Sequence, residues 1–239
     1  MRQVTGCLAL LAALHAGPAA ALQLFERPPR TYLGLSLQVG QATGQFADYV
    51  DLGGGGGGYL LYRPDPDGPL GFRVSAMYLV YGSQTHRYPL VPGIAVDVTT
   101  RNQIAEIALG PQLTLGRGMV QVYGFGAVGG SFFSTTSGVE GSDQNNQPFA
   151  STTNHEDGTF SSELGGGLLV RVSHGRFPIF VDLGARYLNN GRVTYVTRER
   201  VSISGNKLLV NPVDSEANLV VYHLGVTLGL RRSARAEDR

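Results

Sequence analysis

Apolar residues alternate with small or polar residues along residues 220–230. Every even position in this segment is apolar, whereas the odd positions include His223, Gly225 and Thr227. A period of two residues is typical of a β-strand whose two faces meet different surroundings. A tilted strand needs about 9–11 residues to cross the hydrocarbon of a membrane, and this segment is long enough. The pattern therefore predicts a strand with lipid on one face and a lumen on the other.

The same alternation predicts six further strands. Five of them place apolar residues on one face and small or polar residues on the other, at 31–41, 70–83, 102–115, 161–173 and 177–189, although Met77 and Leu79 blur the pattern in 70–83. The sixth, 120–132, is less regular. We interpret its residues Tyr123, Phe125 and Ala127 as outward-facing, with Gly124 and Gly126 facing inward.

Six consecutive glycines, 53–58, lead directly into Tyr59. A phosphate-binding loop needs a lysine and a Ser or Thr after its glycines, and Tyr59 stands there instead. A free linker is the other alternative, but it leaves the predicted barrel one strand short. We therefore interpret residues 50–63 as the eighth strand, in which missing side chains let the chain coil sharply while neighbouring strands fill the lumen.

Short and long connections alternate strictly between the eight predicted strands. The short ones are 64–69, 116–118 and 174–176, and the long ones are 42–49, 84–101, 134–158 and 190–216. Within the last, residues 193–203 and 207–210 suggest an extra hairpin above the membrane. An up-and-down barrel places short turns at the periplasmic rim and long loops outside, which puts both termini on the periplasmic side.

Because the alternation indicates strands in a membrane, the sheet that they form is expected to close on itself. In hydrocarbon every backbone N–H and C=O must be paired within the protein, and a sheet achieves this only by losing its edges. The predicted fold class is an all-β, eight-stranded antiparallel up-and-down transmembrane β-barrel with short periplasmic turns and long outer loops. A soluble carrier of the lipocalin type is the alternative, and it requires the opposite facing, with large apolar residues inside.

Charged residues on the inward face predict the content of the lumen. Three acids and three arginines, together with one histidine, are expected to form a lumen ion network, because unpaired charge is costly in a dry interior. An eight-stranded barrel has room only for side chains, so we expect a plugged lumen. The network residues are Arg73, Glu106, Glu163, Arg171, Asp182, Arg186 and His223.

Composition and the N-terminus place this barrel outside the cytoplasm. Residues 1–21 carry a short positive region, an apolar core too short to span a bilayer and a small-residue site ending at Ala21, which predicts a secretory signal peptide. The only cysteine, Cys7, leaves with it, so the mature chain has no thiol chemistry. Residues 22–231 are the predicted barrel and 232–239 a charged C-terminal tail. A formal net charge of +1 gives no reason to expect nucleic acid as a partner.

The last predicted strand also carries the clearest local resemblance. His223, Gly225, Leu228 and Leu230 follow the order polar, glycine, apolar, apolar, with the spacing of a C-terminal insertion signal. The chain resembles small bacterial outer-membrane β-barrel proteins, the group that includes the transmembrane domain of outer-membrane protein A. The resemblance implies location in the bacterial outer membrane, contact with its lipids and recognition of this signal by the barrel-assembly machinery. Members often stop at a terminal aromatic residue, whereas this chain continues to residue 239.

Catalytic and metal-binding patterns are weak. His86, His155 and His174 lack ligand spacing, so we expect no metal and no cofactor. Some small outer-membrane barrels modify lipid A. Here the candidate groups are His223, Glu163 or Asp182, and Ser161, all of which face inward whereas a lipid lies outside.

We therefore predict a monomer without enzymatic activity, with a structural or surface-binding role and an extracellular ligand that the sequence does not identify. Tyrosines at the ends of strands are candidates for interfacial girdles, where their amphipathic rings favour the headgroup level. These are Tyr32, Tyr59, Tyr62, Tyr78, Tyr81, Tyr187 and Tyr222.

Overall fold

The computed structural model describes residues 28–48, 50, 52–91, 94–140, 148–173, 175, 177–195, 201–204, 207–210 and 213–230. The predicted signal peptide, 1–21, and the predicted tail, 232–239, lie outside these residues. The strands are β1 (Thr31–Thr43), β2 (Leu52–Tyr62), β3 (Leu70–Val91), β4 (Ile94–Leu115), β5 (Val120–Glu140), β6 (Pro148–Ser173), β7 (Ile179–Asn190), β8 (Arg192–Tyr195), β9 (Val201–Ser204), β10 (Lys207–Val210), β11 (Val213–Glu216) and β12 (Asn218–Leu230). A 3₁₀ helix, Gly44–Asp48, follows β1. Among the described residues, no helix has the length and apolar character needed to span a membrane.

Eight of these strands close into one antiparallel barrel, in the order β1, β12, β7, β6, β5, β4, β3, β2. The first strand seals the closure, because Thr31 pairs with Leu230 on β12 and with Tyr62 on β2. The predicted eight-stranded up-and-down barrel is therefore confirmed, with β12 as its last strand. The end that carries connections 63–69, 116–119 and 174–178 is called the short-turn end below, and the opposite end is the loop end.

Side-chain exposure confirms the predicted facing of most strands. On β1 the outward residues Leu35 and Leu37 are 66% and 77% exposed, and on β12 Leu224 is 56% exposed. The alternate residues Gln38 and His223 are buried in the lumen. The apolar exterior is the arrangement that a barrel in lipid requires, and it is opposite to the facing that the soluble-carrier alternative requires.

The prediction for β5 was wrong. Tyr123, Phe125 and Ala127 point into the lumen and are 3%, 4% and 7% exposed, whereas Val122 and Val128 face outward. The physical reason is that β5 carries apolar residues on both faces, so alternation alone does not fix its register.

Three of the seven tyrosines predicted for an interfacial girdle also face the lumen instead of the lipid. Tyr32, Tyr59 and Tyr81 are 2%, 7% and 8% exposed and lie inside the barrel, which excludes them from an interfacial girdle. The other candidates are about half exposed on the outer surface. They are Tyr62, Tyr78, Tyr187 and Tyr222.

Two of the predicted long loops are strands for most of their length. β3 and β4 keep pairing from Gly82↔Asn102 to Val91↔Ile94, and β5 and β6 keep pairing as far as Glu140↔Pro148. The predicted hairpin in the last loop is present in part, because β9 pairs with β10, and β8 pairs with β11.

The glycine run forms the middle of β2, as predicted. An added Cβ at Gly57 would lie 2.6 Å from the carbonyl oxygen of Ala76 on β3 and would meet the side chain of Gln38 on β1. The contact with the backbone oxygen is too close for any larger residue. The glycines thus let β2 approach its neighbours while Gln38 fills the space inside.

Candidate functional site

The lumen contains two apolar clusters with polar side chains between them. The short-turn cluster consists of Tyr32, Tyr59, Leu61, Tyr123, Phe125, Leu169 and Phe180. The loop-end cluster consists of Ala42, Phe46, Val50, Met77, Leu79, Tyr81, Ile104, Phe133, Leu188, Val193, Ala217, Leu219 and Val221. Phe46 comes from the 3₁₀ helix, is 0% exposed, and makes edge contacts with the rings of Tyr81 and Phe133. The connection between β1 and β2 thus folds over the loop end of the lumen.

Asp182 is the centre of one polar group. Its carboxylate accepts hydrogen bonds from the hydroxyl groups of Tyr59 at 2.9 Å, Tyr123 at 2.7 Å and Thr227 at 3.3 Å. Nε2 of His223 lies 3.3 Å from Oδ1 of Asp182 and 2.9 Å from the Tyr123 hydroxyl. These residues come from β2, β5, β7 and β12, so the group ties together strands that are not all neighbours in the sheet.

Arg186 is the centre of the second polar group. Its Nε lies 2.9 Å from Oε2 of Glu163, and its Nη2 lies 3.6 Å from Oε2 of Glu106. Nη2 also donates to Oε1 of Gln38 at 3.0 Å, and Ser75 donates to the other oxygen of Glu163 at 2.8 Å. One guanidinium therefore bridges two buried carboxylates from β4 and β6.

Arg73 interacts with aromatic rings instead of a carboxylate. Its guanidinium carbon lies 3.7 Å from the ring centroid of Tyr59 and 4.2 Å from that of Phe125. Its hydrogen bond runs from Nη1 to Oε1 of Gln112, at 3.0 Å.

Arg171 and Arg63 repeat this arrangement near the short-turn end. The guanidinium carbon of Arg171 lies 5.3 Å from the ring centroid of Phe180, and that of Arg63 lies 6.0 Å from the ring centroid of Tyr32. Arg63 also donates to the carbonyl oxygen of Gly68. Sequence reasoning missed Arg63, the last residue of predicted strand 50–63, because the preceding residues 59–62 are large on both faces and alternation does not assign a face there.

The structure thus places all seven predicted network residues inside the barrel but does not join them into one network. Of the three arginines, Arg186 is the one that makes salt bridges among the described residues. The partners that sequence reasoning missed are Tyr59, Tyr123, Thr227, Gln38 and Gln112. The inward positions of Thr227, Gln38 and Gln112 followed from alternation, but their contacts cross the lumen and have no signal in the order of residues.

Of the candidate catalytic groups, the structure brings His223 and Asp182 together but leaves Ser161 apart from them. Ser161 pairs with Asn190 at one end of β7, whereas His223 pairs with Gly184, six residues along the same strand. At about 3.3 Å per residue, the two levels are roughly 20 Å apart. The His223–Asp182 pair described above therefore lacks the candidate serine.

The remaining histidines considered as metal ligands form no site among the described residues. His86 and His155 lie on the extensions of β3 and β6, in a region where side chains are not described, and His174 lies outside the described residues. The part of the chain that the structure describes contains no group of three or more His, Cys, Asp or Glu residues able to hold a metal ion.

The predicted insertion signal lies on β12, which pairs with β1 and β7 in the closed barrel. His223 and Gly225 face the lumen, whereas Leu228 and Leu230 face outward at the short-turn end.

Comparison with solved structures finds small outer-membrane barrels. Ail, the attachment invasion locus protein of Yersinia pestis, in complex with the heparin analogue sucrose octasulfate, is 12% identical, with a TM-score of 0.45 over 84% of this chain and 98% of that chain. Neisserial surface protein A is 12% identical, with a TM-score of 0.40 over 84% and 97%. A major outer membrane protein from Thermus thermophilus is 14% identical, with a TM-score of 0.41 over 82% and 98%.

Comparison with curated proteins gave no match. The sequence matches the family described as "Outer membrane protein beta-barrel domain" over residues 7–197, which is most of the chain. The chain therefore belongs to this family of outer-membrane β-barrels, and its outward apolar residues contact the lipid of the bacterial outer membrane.

Proposed function

We propose that the protein is a plugged, non-catalytic barrel that anchors a surface-exposed β-sheet in the outer membrane and binds an extracellular partner along the edge of that sheet. The observation that carries the proposal is the length of four neighbouring strands. β3, β4, β5 and β6 have 22, 22, 21 and 26 residues, whereas the other four barrel strands have 11 to 13. The four long strands continue together beyond the loop end.

The extended sheet has two edges, on β3 and on β6, whose pairing with β7 begins only at Ser161↔Asn190. The edge on β3 is the one proposed for binding. Pairing with β2 ends at Gly54↔Val80, whereas pairing with β4 continues to Val91. Among the described strands, none pairs with residues 81–91 on the side away from β4. Backbone groups of an unpaired edge accept an extended segment of another chain, which adds a strand to the sheet.

Features of this edge limit indiscriminate pairing. The register shifts between Val80 and Gly82 and again between Pro89 and Val91, and Pro89 has no N–H to donate. These irregularities leave residues 82–88 as a regular segment of edge. A defined, short edge suits recognition of one partner better than open-ended aggregation.

The content of the lumen supports a plugged barrel. The loop-end cluster, with Phe46 placed over it, and the short-turn cluster lie at opposite ends of the polar groups around Asp182 and Arg186. The separation of Ser161 from His223 supports the absence of catalysis. The paired edges of all eight barrel strands support a monomer, because no backbone edge within the barrel remains for a second copy. Assembly by the barrel-assembly machinery through the β12 signal is part of the same proposal.

Adjacent proline substitutions test the edge. In an antiparallel pair, successive N–H groups point alternately toward and away from the neighbouring strand. Of Ser83→Pro and Gln84→Pro, one therefore removes an edge donor and the other removes a β3–β4 hydrogen bond. Barrels in nanodiscs are incubated with an array of extended ten-residue peptides, and amide hydrogen exchange is measured on residues 82–88.

We expect bound peptides to slow exchange along this segment, and the variant lacking the edge donor to lose binding while its heat-modifiable migration is unchanged. Binding that survives replacement of residues 83–101 by Asn-Gly would place recognition elsewhere. Ion conductance of the wild type in planar bilayers would contradict the plugged lumen.

A further inference from the structure

Three buried or half-buried arginines lie in the short-turn half of the lumen without a carboxylate partner. Their guanidinium carbons lie 3.7, 5.3 and 6.0 Å from the nearest ring centroids, for Arg73, Arg171 and Arg63 respectively. All of these rings belong to the short-turn cluster. One contiguous set of apolar side chains thus holds three cations within a few residues of the periplasmic rim.

Each of these arginines has an N–H donor without a hydrogen-bond partner. Arg63 and Arg73 are 6% and 3% exposed, yet Nε of each has no hydrogen-bond partner, and the same is true of Nε of Arg171. None of the three makes a salt bridge among the described residues, where the buried ion pairs belong to Arg186 and His223. Ring stacking offsets only part of the cost of removing a guanidinium from water.

The local charge is therefore unbalanced. Asp182 is the one carboxylate that faces this half of the lumen among the described residues, and Tyr59, Tyr123 and Thr227 already donate to its oxygens. Three arginines thus outnumber the one carboxylate in this half of the lumen. Residues 231–239 contain four arginines and two acids, so their side chains add more positive than negative charge to the sequence.

We propose that the short-turn half of the lumen binds a small free oxyanion of the periplasm, of the phosphate class, through Arg63, Arg73 and Arg171. Guanidinium groups present two parallel N–H donors, which match pairs of oxygens on phosphate better than a spherical anion. Arg171 is only half-buried and lies two residues from the end of β6, so it is the first contact for an anion that arrives from the periplasm.

The other half of the lumen stops the anion. Glu106 and Glu163 share the single cation Arg186, so the next layer holds two carboxylates and one guanidinium. An anion that enters from the short-turn end thus meets three arginines first and two carboxylates next. The site is a closed vestibule, independent of the extracellular sheet edge proposed above.

Arginine side-chain NMR tests this site directly. The barrel is prepared in a phosphorus-free non-ionic detergent and titrated with inorganic phosphate, and the Nε–Hε resonances are followed. We expect saturable shifts for Arg63, Arg73 and Arg171 and none for Arg117, which lies in a short turn, is exposed and pairs with Asp67. Chloride at equal ionic strength should cause smaller shifts.

Variants give the quantitative control. Arg171→Gln should weaken phosphate binding by about tenfold or more, since it removes one charge-assisted interaction. Arg171→Lys, which keeps the charge, should weaken it less, and Arg117→Gln should leave it within about twofold. Heat-modifiable migration confirms folding, and the wild-type titration stands by itself if a variant does not fold.

Three outcomes would overturn the proposal. One is the absence of saturable shifts in the wild type, and another is an equal loss of affinity in Arg117→Gln and Arg171→Gln. The third comes from nanodiscs of phosphatidylglycerol. If the three resonances shift there before phosphate is added, and phosphate adds nothing, the ligand is a lipid headgroup and not a free oxyanion.

Discussion

The hydroxyl group of Tyr123 donates a 2.7 Å hydrogen bond to Oδ1 of Asp182. Tyr123 lies on β5 and Asp182 on β7, so the bond passes β6 and crosses part of the lumen. Both side chains are buried, at 3% and 2% exposure. The contact shows that polar groups within the lumen hold together strands that the sheet itself does not pair.

Replacement of Tyr123 by phenylalanine should lower the free energy of unfolding by about 1.5–3 kcal/mol, because it removes a buried hydrogen bond to a charged group. Urea unfolding in lipid vesicles measures the change. Tyr222→Phe is the matched control, since Tyr222 is 51% exposed on the outer surface, and it should change stability by less than about 0.5 kcal/mol. Equal effects of the two substitutions would show that the hydrogen bond from Tyr123 to Asp182 does not stabilise the barrel.

Tyr123 also shows where sequence reasoning succeeded and where it failed. In β1, β4, β6, β7 and β12 one face is nearly all apolar, so a period of two fixed the register. In β5, Val122 and Tyr123 are both large and apolar, and the aromatic filling of the lumen, not the lipid, determines which of them points inward. Sequence alternation carries no information on that filling, because its contacts come from other strands.

The extensions of β3 to β6 were missed for a different reason. Beyond the membrane the outer face of a strand meets water instead of lipid, so the apolar–polar alternation that marks the membrane-spanning part is lost. The pairing of Thr85 with Thr99 is an example, because two threonines have no preference between the faces. The interactions of Arg63 and Arg73 with aromatic rings were missed for a third reason. They follow from three-dimensional packing and leave no pattern in the sequence.

Arg186 should be required for stability because it is the cation shared by two buried carboxylates. Arg186→Met leaves Glu106 and Glu163 without a salt bridge, and we expect a loss of about 3–5 kcal/mol in the free energy of unfolding. Arg117→Met removes an exposed ion pair and should cost less than about 1 kcal/mol.

A double-mutant cycle with Glu163→Gln separates the salt bridge from other losses. The double variant Arg186→Met/Glu163→Gln should be more stable than the sum of the single effects indicates, because it removes the buried charge together with its partner. Additive effects would show that the 2.9 Å contact between Arg186 and Glu163 contributes no coupling.

Substitution of Phe46 and of Phe133 distinguishes residues that close the lumen from residues that stabilise the barrel. Both are almost fully buried in the loop-end cluster, but Phe46 comes from the 3₁₀ helix and Phe133 from β5. Phe133→Ala should cost about 3–5 kcal/mol, whereas Phe46→Ala should cost less because the helix is free to leave the barrel while the strands stay paired.

Phe46→Ala should instead admit water to the loop-end cluster. Leu79, which is 0% exposed, is replaced by cysteine as a reporter, since the predicted mature chain has no other thiol. Labelling of Leu79→Cys by a water-soluble reagent should become faster with Phe46→Ala and keep its rate with the outward substitution Phe132→Ala. Unchanged labelling with Phe46→Ala would show that the 3₁₀ helix does not close the lumen.

The end of β12 provides the last prediction, which concerns assembly. Leu228 and Leu230 face outward at the short-turn end, where a substitution leaves the lumen untouched. Leu230→Asn should therefore slow insertion into proteoliposomes that contain the barrel-assembly machinery, yet leave spontaneous folding into short-chain lipid vesicles almost unchanged. Leu70→Asn, at an exposed position on β3 near the same rim, is the control, and it should affect both processes equally. Deletion of residues 231–239 should not slow either process, because the signal ends at Leu230. If Leu230→Asn and Leu70→Asn behave alike, β12 carries no special information for the machinery, and the role of its C-terminal sequence is limited to closing the barrel against β1.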